Sequence, residues 1–239
     1  MNAVVIGGRG FYGRLVGEVL RNSGHAVSVA GRKGGDITVD LTDEASFAAL
    51  DKSALIVNAS DSVNASPLGL ARWCLIHGAT LLDMSADLPT TERLIELEVE
   101  QPKGRVLVGA GLFPGLSTAL GVGAWRAAGE PSSVEIGVRV CPLSGAGGGT
   151  VSLMGATLET PSVRWKAGVR IEGHPVAETL RMHFLNAGTR NAVVVALPDA
   201  ALLARATGAA AAGAAGRARA SVLISPTAGK DAVAIARTR

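Results

Sequence analysis

Aromatic residues and cysteines are scarce in this sequence, and both scarcities exclude classes of function. Aromatic residues make up 3% of the 239 residues, so the chain has few of the rings on which single-stranded nucleic acids stack. The two cysteines, Cys74 and Cys141, show neither metal-ligand spacing nor a disulfide framework. We therefore expect that the protein binds neither a nucleic acid nor a metal.

Long apolar runs are also missing. No run reaches the roughly 20 residues that a membrane-spanning helix needs without glycine or polar breaks. The chain enters a strand-like segment at Ala3–Gly7 with no signal-peptide pattern before it. HExxH, CxxC and Ser/His/Asp arrangements are absent, which argues against metalloenzymes and hydrolases. These features predict a cytoplasmic protein that does not associate with a membrane.

The first 120 residues alternate apolar strands with helix-like segments. The helix over Phe11–Ser23 places Leu15, Val16, Val19 and Leu20 on one face. Strands that are apolar throughout and separated by helices predict a parallel sheet with helices on both faces. The six predicted strands are Ala3–Gly7, Ala26–Ala30, Ile37–Leu41, Ala54–Ala59, Thr80–Met84 and Arg105–Ala110.

The pattern changes after a helix that begins near Ser117. Val134–Val140 alternates apolar and polar residues, as a half-exposed strand does. Further strands are predicted at Val163–Ile171, Ala192–Ala196 and Ala220–Ile224. The fold class is therefore α/β: a Rossmann doubly wound parallel sheet over residues 1–130, then a smaller α+β domain with a mainly antiparallel sheet over residues 131–239.

A glycine-rich loop joins the first strand to the first helix, with the sequence Gly7, Gly8, Arg9, Gly10, Phe11, Tyr12 and Gly13. Gly7 permits a sharp exit from the strand, Gly10 lets the backbone approach a pyrophosphate, and Gly13 allows the helix to pack on the sheet. The N-terminus of that helix offers free N–H groups to a phosphate. The loop predicts a dinucleotide site, and the alternative is a tight turn without a ligand.

The end of the second strand predicts which dinucleotide binds. A site selective for NAD usually has Asp or Glu there, to bind the ribose hydroxyls. This chain has Gly31, Arg32 and Lys33 instead, and Arg32 can pair with a 2′-phosphate. Arg9 would add a second contact. We therefore predict NADP(H) as the cofactor, and the alternative is that Arg32 and Lys33 are exposed loop bases.

Polar residues end three further predicted strands. Asp40, at the end of the third strand, would contact the adenine edge or cap the next helix. The small residues at the end of the fourth strand, Asn58, Ala59 and Ser60, would leave room for the nicotinamide ribose. Asp83, at the end of the fifth strand, is a candidate proton carrier, and the alternative is a buried capping carboxylate.

Several motifs in order resemble the saccharopine dehydrogenase-like (saccharopine reductase) family. They are the glycine loop, Ala30-Gly31-Arg32, Asp40-Leu41-Thr42, Val57-Asn58-Ala59, Leu82-Asp83-Met84-Ser85, Gly109–Ser117 and the loop Gly145–Thr150. The resemblance implies a reaction on an imine or a secondary amine with NAD(P)(H). It also implies that the second domain binds substrate and forms a homodimer.

The second half is less informative about chemistry. Residues 131–239 carry an excess of bases, which indicates either a solvated surface or a site for an anionic substrate. His174 is a candidate proton donor near neutral pH. The predicted substrate residues are Phe113, Pro114, Gly115, Arg139 and Trp165.

Taken together, the residues and the resemblance predict an NADP(H)-dependent oxidoreductase. Its substrate would be a small metabolite with an imine, secondary amine or carbonyl group, held between the two domains, and it would be anionic if the excess of bases forms a binding site. The alternative is a regulatory or redox-sensing protein that binds NADP(H) without catalysis. The absence of an evident acid–base pair motivates that alternative.

Overall fold

The computed structural model describes residues 1–129, 134–140, 148–166, 169–184, 188–208, 219–226 and 233–238. These residues form two compact units, the first made mainly of Met1–Gly111 and the second mainly of the residues from Leu112 onward. No helix among the described residues is long and apolar enough to cross a membrane.

The first unit is built on six strands that pair only in parallel. They are β1 (Asn2–Ile6), β2 (Ala26–Gly31), β3 (Ile37–Thr38), β4 (Leu55–Asn58), β5 (Thr80–Asp83) and β6 (Arg105–Val108). Their order in the sheet is β3-β2-β1-β4-β5-β6, so the direction of winding reverses between β1 and β4. Ligands of such sheets bind at the carboxyl ends of the strands beside this reversal. The predicted α/β fold class is confirmed.

The helices of the first unit are α1 (Phe11–Asn22), α2 (Leu68–His77) and α3 (Leu88–Ile95), and a 3-10 helix spans Glu44–Leu50. The 3-10 helix begins after Asp43, whose side chain accepts a hydrogen bond from the Ala45 N–H. Asp87 caps α3 in the same way through the Thr90 N–H. These side chains satisfy backbone donors that the first helical turn leaves free.

The two faces of the sheet are covered differently. One face packs against α2, α3 and the 3-10 helix, in a cluster that includes Ile56, Leu70 and Leu81. On the other face, the buried residues of α1 are Gly13 and Gly17. Leu15 and Val19 are exposed although they belong to the predicted apolar face.

The second unit contains the helices α4 (Leu116–Ala127), α5 (Gly148–Glu159) and α6 (Asp199–Ala206). Its described strands are β7 (Val134–Val140), β8 (Ser162–Lys166), β9 (Val169–Gly173), β10 (Thr179–Phe184), β11 (Gly188–Val195), β12 (Arg219–Pro226) and β13 (Val233–Thr238). The main path of the sheet is β10-β11-β12-β7-β13, and β8 joins it to β9. Only the β12–β7 pair among these is parallel, so the mainly antiparallel sheet is confirmed.

The structure differs from the sequence prediction in three places. The single strand predicted over Val163–Ile171 is the antiparallel hairpin of β8 and β9. Strands β10 and β13 were not predicted, and each is stabilised by pairing with β11 or β7. The chain divides near Leu112 and not at residue 130, because α4 packs on β7, β13 and α6.

Candidate functional site

The glycine loop follows β1 in the first unit and leads into α1. Gly7 has a φ of 73°, its N–H donates to the Ala30 carbonyl at 2.9 Å, and its carbonyl accepts from the Gly10 N–H at 2.8 Å. A Cβ on Gly7 would lie 2.8 Å from the Ala59 carbonyl oxygen, and a Cβ on Gly13 would overlap the Gly7 carbonyl. The loop therefore requires glycine at both positions.

A cavity of about 700 Å³ lies against this loop and the end of β2. Seven predicted cofactor residues line it: Gly7, Arg9, Gly10, Gly31, Arg32, Lys33 and Asp40. Gly8 is buried beneath the loop against Val29, while Phe11 and Tyr12 begin α1 with half-exposed rings in an edge-to-face pair. An open glycine backbone beside a helix N-terminus, with three cations around one cavity, fits the phosphates of a dinucleotide.

Asp40 is the acidic residue in the lining of this cavity. Its Oδ1 accepts hydrogen bonds from the Thr42 N–H at 2.9 Å and from the Thr42 hydroxyl at 2.8 Å. These bonds, together with the positive charge of Arg32, lower the pKa of Asp40. The predicted alternative that Asp40 caps the next helix is wrong, because Asp43 provides that cap.

A buried polar network occupies the carboxyl ends of β4 and β5. Asn58 and Asp83 lie opposite each other in register, and the Asn58 Nδ2 donates to Asp83 Oδ2 at 2.7 Å. The Asn58 Oδ1 accepts from the Ser60 hydroxyl at 2.6 Å, while Asp83 Oδ1 accepts from the Ser85 N–H at 3.0 Å. Asp83 therefore fixes the orientation of the Asn58 amide, which in turn fixes Ser60.

The surroundings of Asp83 bear on its predicted role as a proton carrier. Burial raises the pKa of Asp83, and hydrogen bonds from Asn58 and Ser85 oppose the rise. The side chain has no exposure to solvent, and both carboxylate oxygens accept hydrogen bonds. These contacts favour the alternative of a buried capping carboxylate, and proton transfer by Asp83 stays a prediction.

The predicted residues of the second unit lie in different settings. His174 is exposed in the turn after β9, and its carbonyl accepts from Ser162 and Ala177. Trp165 is buried in β8. Phe113 is joined to the buried Pro114 by a cis peptide bond, and Gly115 then precedes α4. Their roles in substrate binding or catalysis stay predictions.

Arg139 is the predicted substrate residue with the most unusual environment. It lies in β7 and is 9% exposed, yet its Nε has no hydrogen-bond partner in the described part of the chain. A buried guanidinium usually pairs with an anion or with several acceptors, because its desolvation is costly. Arg164, in contrast, forms an ion pair with Glu178.

Sequence reasoning missed a buried carboxylate in the second unit. Asp199, at the first residue of α6, accepts hydrogen bonds from the hydroxyls of Ser117 and Thr118 in the first turn of α4. Asp199 is the first residue of α6, and no side chain caps that helix. Ser117 ends the Gly109–Ser117 motif, and the run of two hydroxyl residues was the available signal. Among the described residues, no group of His, Cys, Asp and Glu could hold a metal ion.

Comparison with known proteins gave matches among solved structures alone. No model of a protein family matches the chain, and no curated protein does. GenD2 from gentamicin A biosynthesis, solved with NAD, is 17% identical with a TM-score of 0.46 over 99% of this chain and 68% of its own. The myo-inositol dehydrogenase of Lactobacillus casei, solved with NAD(H) and myo-inositol, is 14% identical with a TM-score of 0.48 over 99% of this chain and 70% of its own.

A third match, the protein lin1944 from Listeria innocua, is 24% identical with a TM-score of 0.29. The match covers 34% of this chain and 54% of the Listeria protein, so this chain spans about half of that protein's length. The two proteins named above were solved with a nicotinamide dinucleotide. None of the three is described as a saccharopine dehydrogenase, so the resemblance to that family stays a prediction.

Proposed function

We propose that this chain is an NADP(H)-dependent oxidoreductase acting on an imine, secondary amine or carbonyl group of a small anionic metabolite. The observation that carries the proposal is the set of three cations, Arg9, Arg32 and Lys33, around one glycine-lined cavity. A 2′-phosphate carries close to two negative charges, and guanidinium groups bind phosphates through paired hydrogen bonds.

Asp40 is compatible with NADP(H) although it lines the same cavity. Both donors of Thr42 engage its Oδ1, and the positive charge of Arg32 lies near enough to lower the pKa of Asp40. An NAD-type acid would instead present its carboxylate to the ribose hydroxyls from the end of β2. In this chain the end of β2 is Gly31, followed by Arg32, so the ribose side of the cavity is cationic.

The rest of the site orients the coenzyme. We assign the pyrophosphate to the loop from Gly7 to Gly13 and the nicotinamide side to Asn58, Ala59 and Ser60. When bound, NADP(H) supplies the hydride or accepts it. The hydrogen bonds from Asp83 through Asn58 to Ser60 hold these polar groups in one orientation, which is the preorganisation that hydride transfer requires of the protein.

Arg139 supports an anionic substrate. Its buried guanidinium has an unpaired Nε within the described residues, and a carboxylate would supply the missing acceptor. Trp165, another predicted substrate residue of the same unit, is buried in β8 and exposes little surface to a ligand.

The test is a fluorescence titration of the protein with NADPH and, separately, with NADH. We expect a micromolar Kd for NADPH and binding of NADH that is at least about tenfold weaker, a difference of about 1.4 kcal/mol. Arg32→Asp should weaken NADPH binding by at least about tenfold. Arg72→Asp, which makes the same charge change on the exposed side of α2, should leave it within about twofold. Failure to bind either coenzyme at micromolar concentration overturns the proposal.

A second candidate function is an NADP(H)-binding regulatory or redox-sensing protein without catalysis. It is favoured by the complete burial of Asp83 and by the engagement of both its carboxylate oxygens. The two candidates differ in turnover. A panel of imines, ketones and enoyl compounds, assayed by the absorbance of NADPH, should show coenzyme oxidation if the first is correct and binding alone if the second is.

A further inference from the structure

The loop that carries Arg32 and Lys33 is held by hydrogen bonds at two of its residues, Gly34 and Asp36. It connects β2 to β3, and its last residue, Asp36, makes two bonds with Val29 of β2. The Asp36 N–H donates to the Val29 carbonyl at 2.8 Å, and the Asp36 Oδ2 accepts from the Val29 N–H at 2.8 Å. The Asp36 side chain thereby supplies the acceptor that a neighbouring strand would give to the Val29 N–H, since β3 begins only at Ile37.

A second hydrogen bond joins the loop between β2 and β3 to the glycine loop. The Arg9 Nη1 donates to the Gly34 carbonyl at 2.6 Å. Gly34 has a φ of 68°, and a Cβ there would overlap the Arg9 guanidinium. A Cβ on Gly35 would lie 2.6 Å from the Val29 carbonyl oxygen. The two glycines therefore allow the loop to lie close to both Arg9 and β2.

The position of Asp36 has a consequence for selectivity. An aspartate this close to the end of β2 could serve as the acid that binds ribose hydroxyls in NAD-selective sites. Here its carboxylate is engaged by a backbone N–H of β2, and Asp36 is absent from the lining of the cavity that Arg32 and Lys33 share. The hydrogen bond between Asp36 and Val29 therefore keeps this carboxylate out of the cavity lining and also fixes the loop that carries Arg32 and Lys33.

We propose that Asp36 is a positioning residue that determines coenzyme selectivity, because its bond to the Val29 N–H holds Arg32 and Lys33 in place for the 2′-phosphate. This inference rests on the proposed function and deepens it. Fixing a binding loop in advance reduces the ordering cost of binding. That benefit applies to NADPH, which uses the cations, and hardly to NADH, which has no 2′-phosphate.

The test compares three variants in the full chain. Asp36→Ala removes the acceptor, and Asp36→Asn keeps an acceptor oxygen without the charge. Asp51→Ala removes an exposed acid that has no side-chain hydrogen bond among the described residues. For each we would measure the Kd of NADPH and of NADH by calorimetry, and the amide hydrogen exchange of Val29 without coenzyme.

For Asp36→Ala we expect the Kd of NADPH to rise at least about tenfold, as expected for loss of a hydrogen bond to a charged group, and the Kd of NADH to change less than about threefold. Exchange at Val29 should accelerate in this variant without coenzyme. Asp36→Asn should stay within about threefold of the wild type for both coenzymes, and Asp51→Ala should match the wild type.

Equal losses for NADPH and NADH in Asp36→Ala, or no loss for either, would overturn the positioning role. An Asp36→Asn variant as weak as Asp36→Ala would overturn it too, since charge would then matter and not the backbone contact. These outcomes leave the proposed function intact as long as the wild type prefers NADPH. A wild type that binds neither coenzyme overturns the proposed function, and the selectivity inference with it.

Discussion

The Asn58 Nδ2 donates a hydrogen bond of 2.7 Å to Asp83 Oδ2, and neither side chain is exposed to solvent. The two residues end adjacent parallel strands, β4 and β5, at the edge of the sheet where ligands of this fold bind. A buried carboxylate needs donors to offset its desolvation. Asn58 supplies one of these donors, and its own carbonyl oxygen accepts a hydrogen bond from the Ser60 hydroxyl. The three side chains therefore hold one another in a fixed orientation.

Asn58→Ala should therefore destabilise the first unit. The substitution leaves one oxygen of the buried Asp83 without its donor and releases Ser60, and we expect a loss of about 2–3 kcal/mol in the free energy of unfolding. Urea denaturation followed by circular dichroism measures it. Asn22→Ala, at the exposed end of α1, is the control and should change stability by less than about 0.5 kcal/mol. Equal effects of the two substitutions would contradict a structural role for the pair.

Gly13→Ala and Gly123→Ala form a matched pair of helix substitutions with opposite expected signs. A Cβ on Gly13 would overlap the Gly7 carbonyl, whereas nothing lies within 4 Å of a Cβ on Gly123 in α4. We expect Gly13→Ala to cost about 1–3 kcal/mol through overpacking. Gly123→Ala should add about 0.5–1 kcal/mol, since alanine favours a helix over glycine. Thermal unfolding measures both, and a stable Gly13→Ala variant would show that α1 can shift away from β1.

Asp199→Asn should change how stability depends on pH. Burial raises the pKa of Asp199, while hydrogen bonds from Ser117 and Thr118 oppose the rise. Because the folded pKa lies above the unfolded value of 3.8, the contribution of this group to stability is complete below that value. It is lost as the pH rises through the folded pKa.

The variant lacks this titration, so its stability relative to the wild type should improve as the pH rises from about 4 toward 7. Urea denaturation followed by tryptophan fluorescence in a Trp73→Phe background reports unfolding of the second unit, because Trp125 and Trp165 both belong to it. Asp51→Asn, an exposed substitution in the first unit, is the control for the loss of one acid. A stability difference that does not vary with pH would show that Asp199 does not titrate in this range.

Cys74 should resist alkylation in the folded protein. Burial raises the pKa of its thiol to about 12 from an ordinary value of 9.0, and the thiolate is the reactive form. In a Cys141→Ser background at about pH 8, we expect iodoacetamide to react at least about 100-fold more slowly with the folded chain than with the chain in urea. Comparable rates in the two states would mean that α2 opens readily.

The local structure of the first unit could be predicted from the sequence. The spacing of Gly7, Gly10 and Gly13 predicted a tight turn into a helix, since only glycine tolerates the φ of Gly7 and the close approach at Gly13. Apolar strands separated by helices predicted the parallel sheet, because both faces of such a sheet are buried. Because Arg32 and Lys33 directly follow the second predicted strand in the sequence, their position at the end of β2 could be predicted too.

Contacts between distant segments were decided by the tertiary structure. Asp199 binds the hydroxyls of Ser117 and Thr118 across about 80 residues of sequence, and strands β10 and β13 exist because neighbouring strands pair with them. Asp36 looks in the sequence like one more loop acid. Its role depends on which backbone N–H its carboxylate meets, and that is fixed by the path of the chain between β2 and β3, which composition and periodicity do not encode.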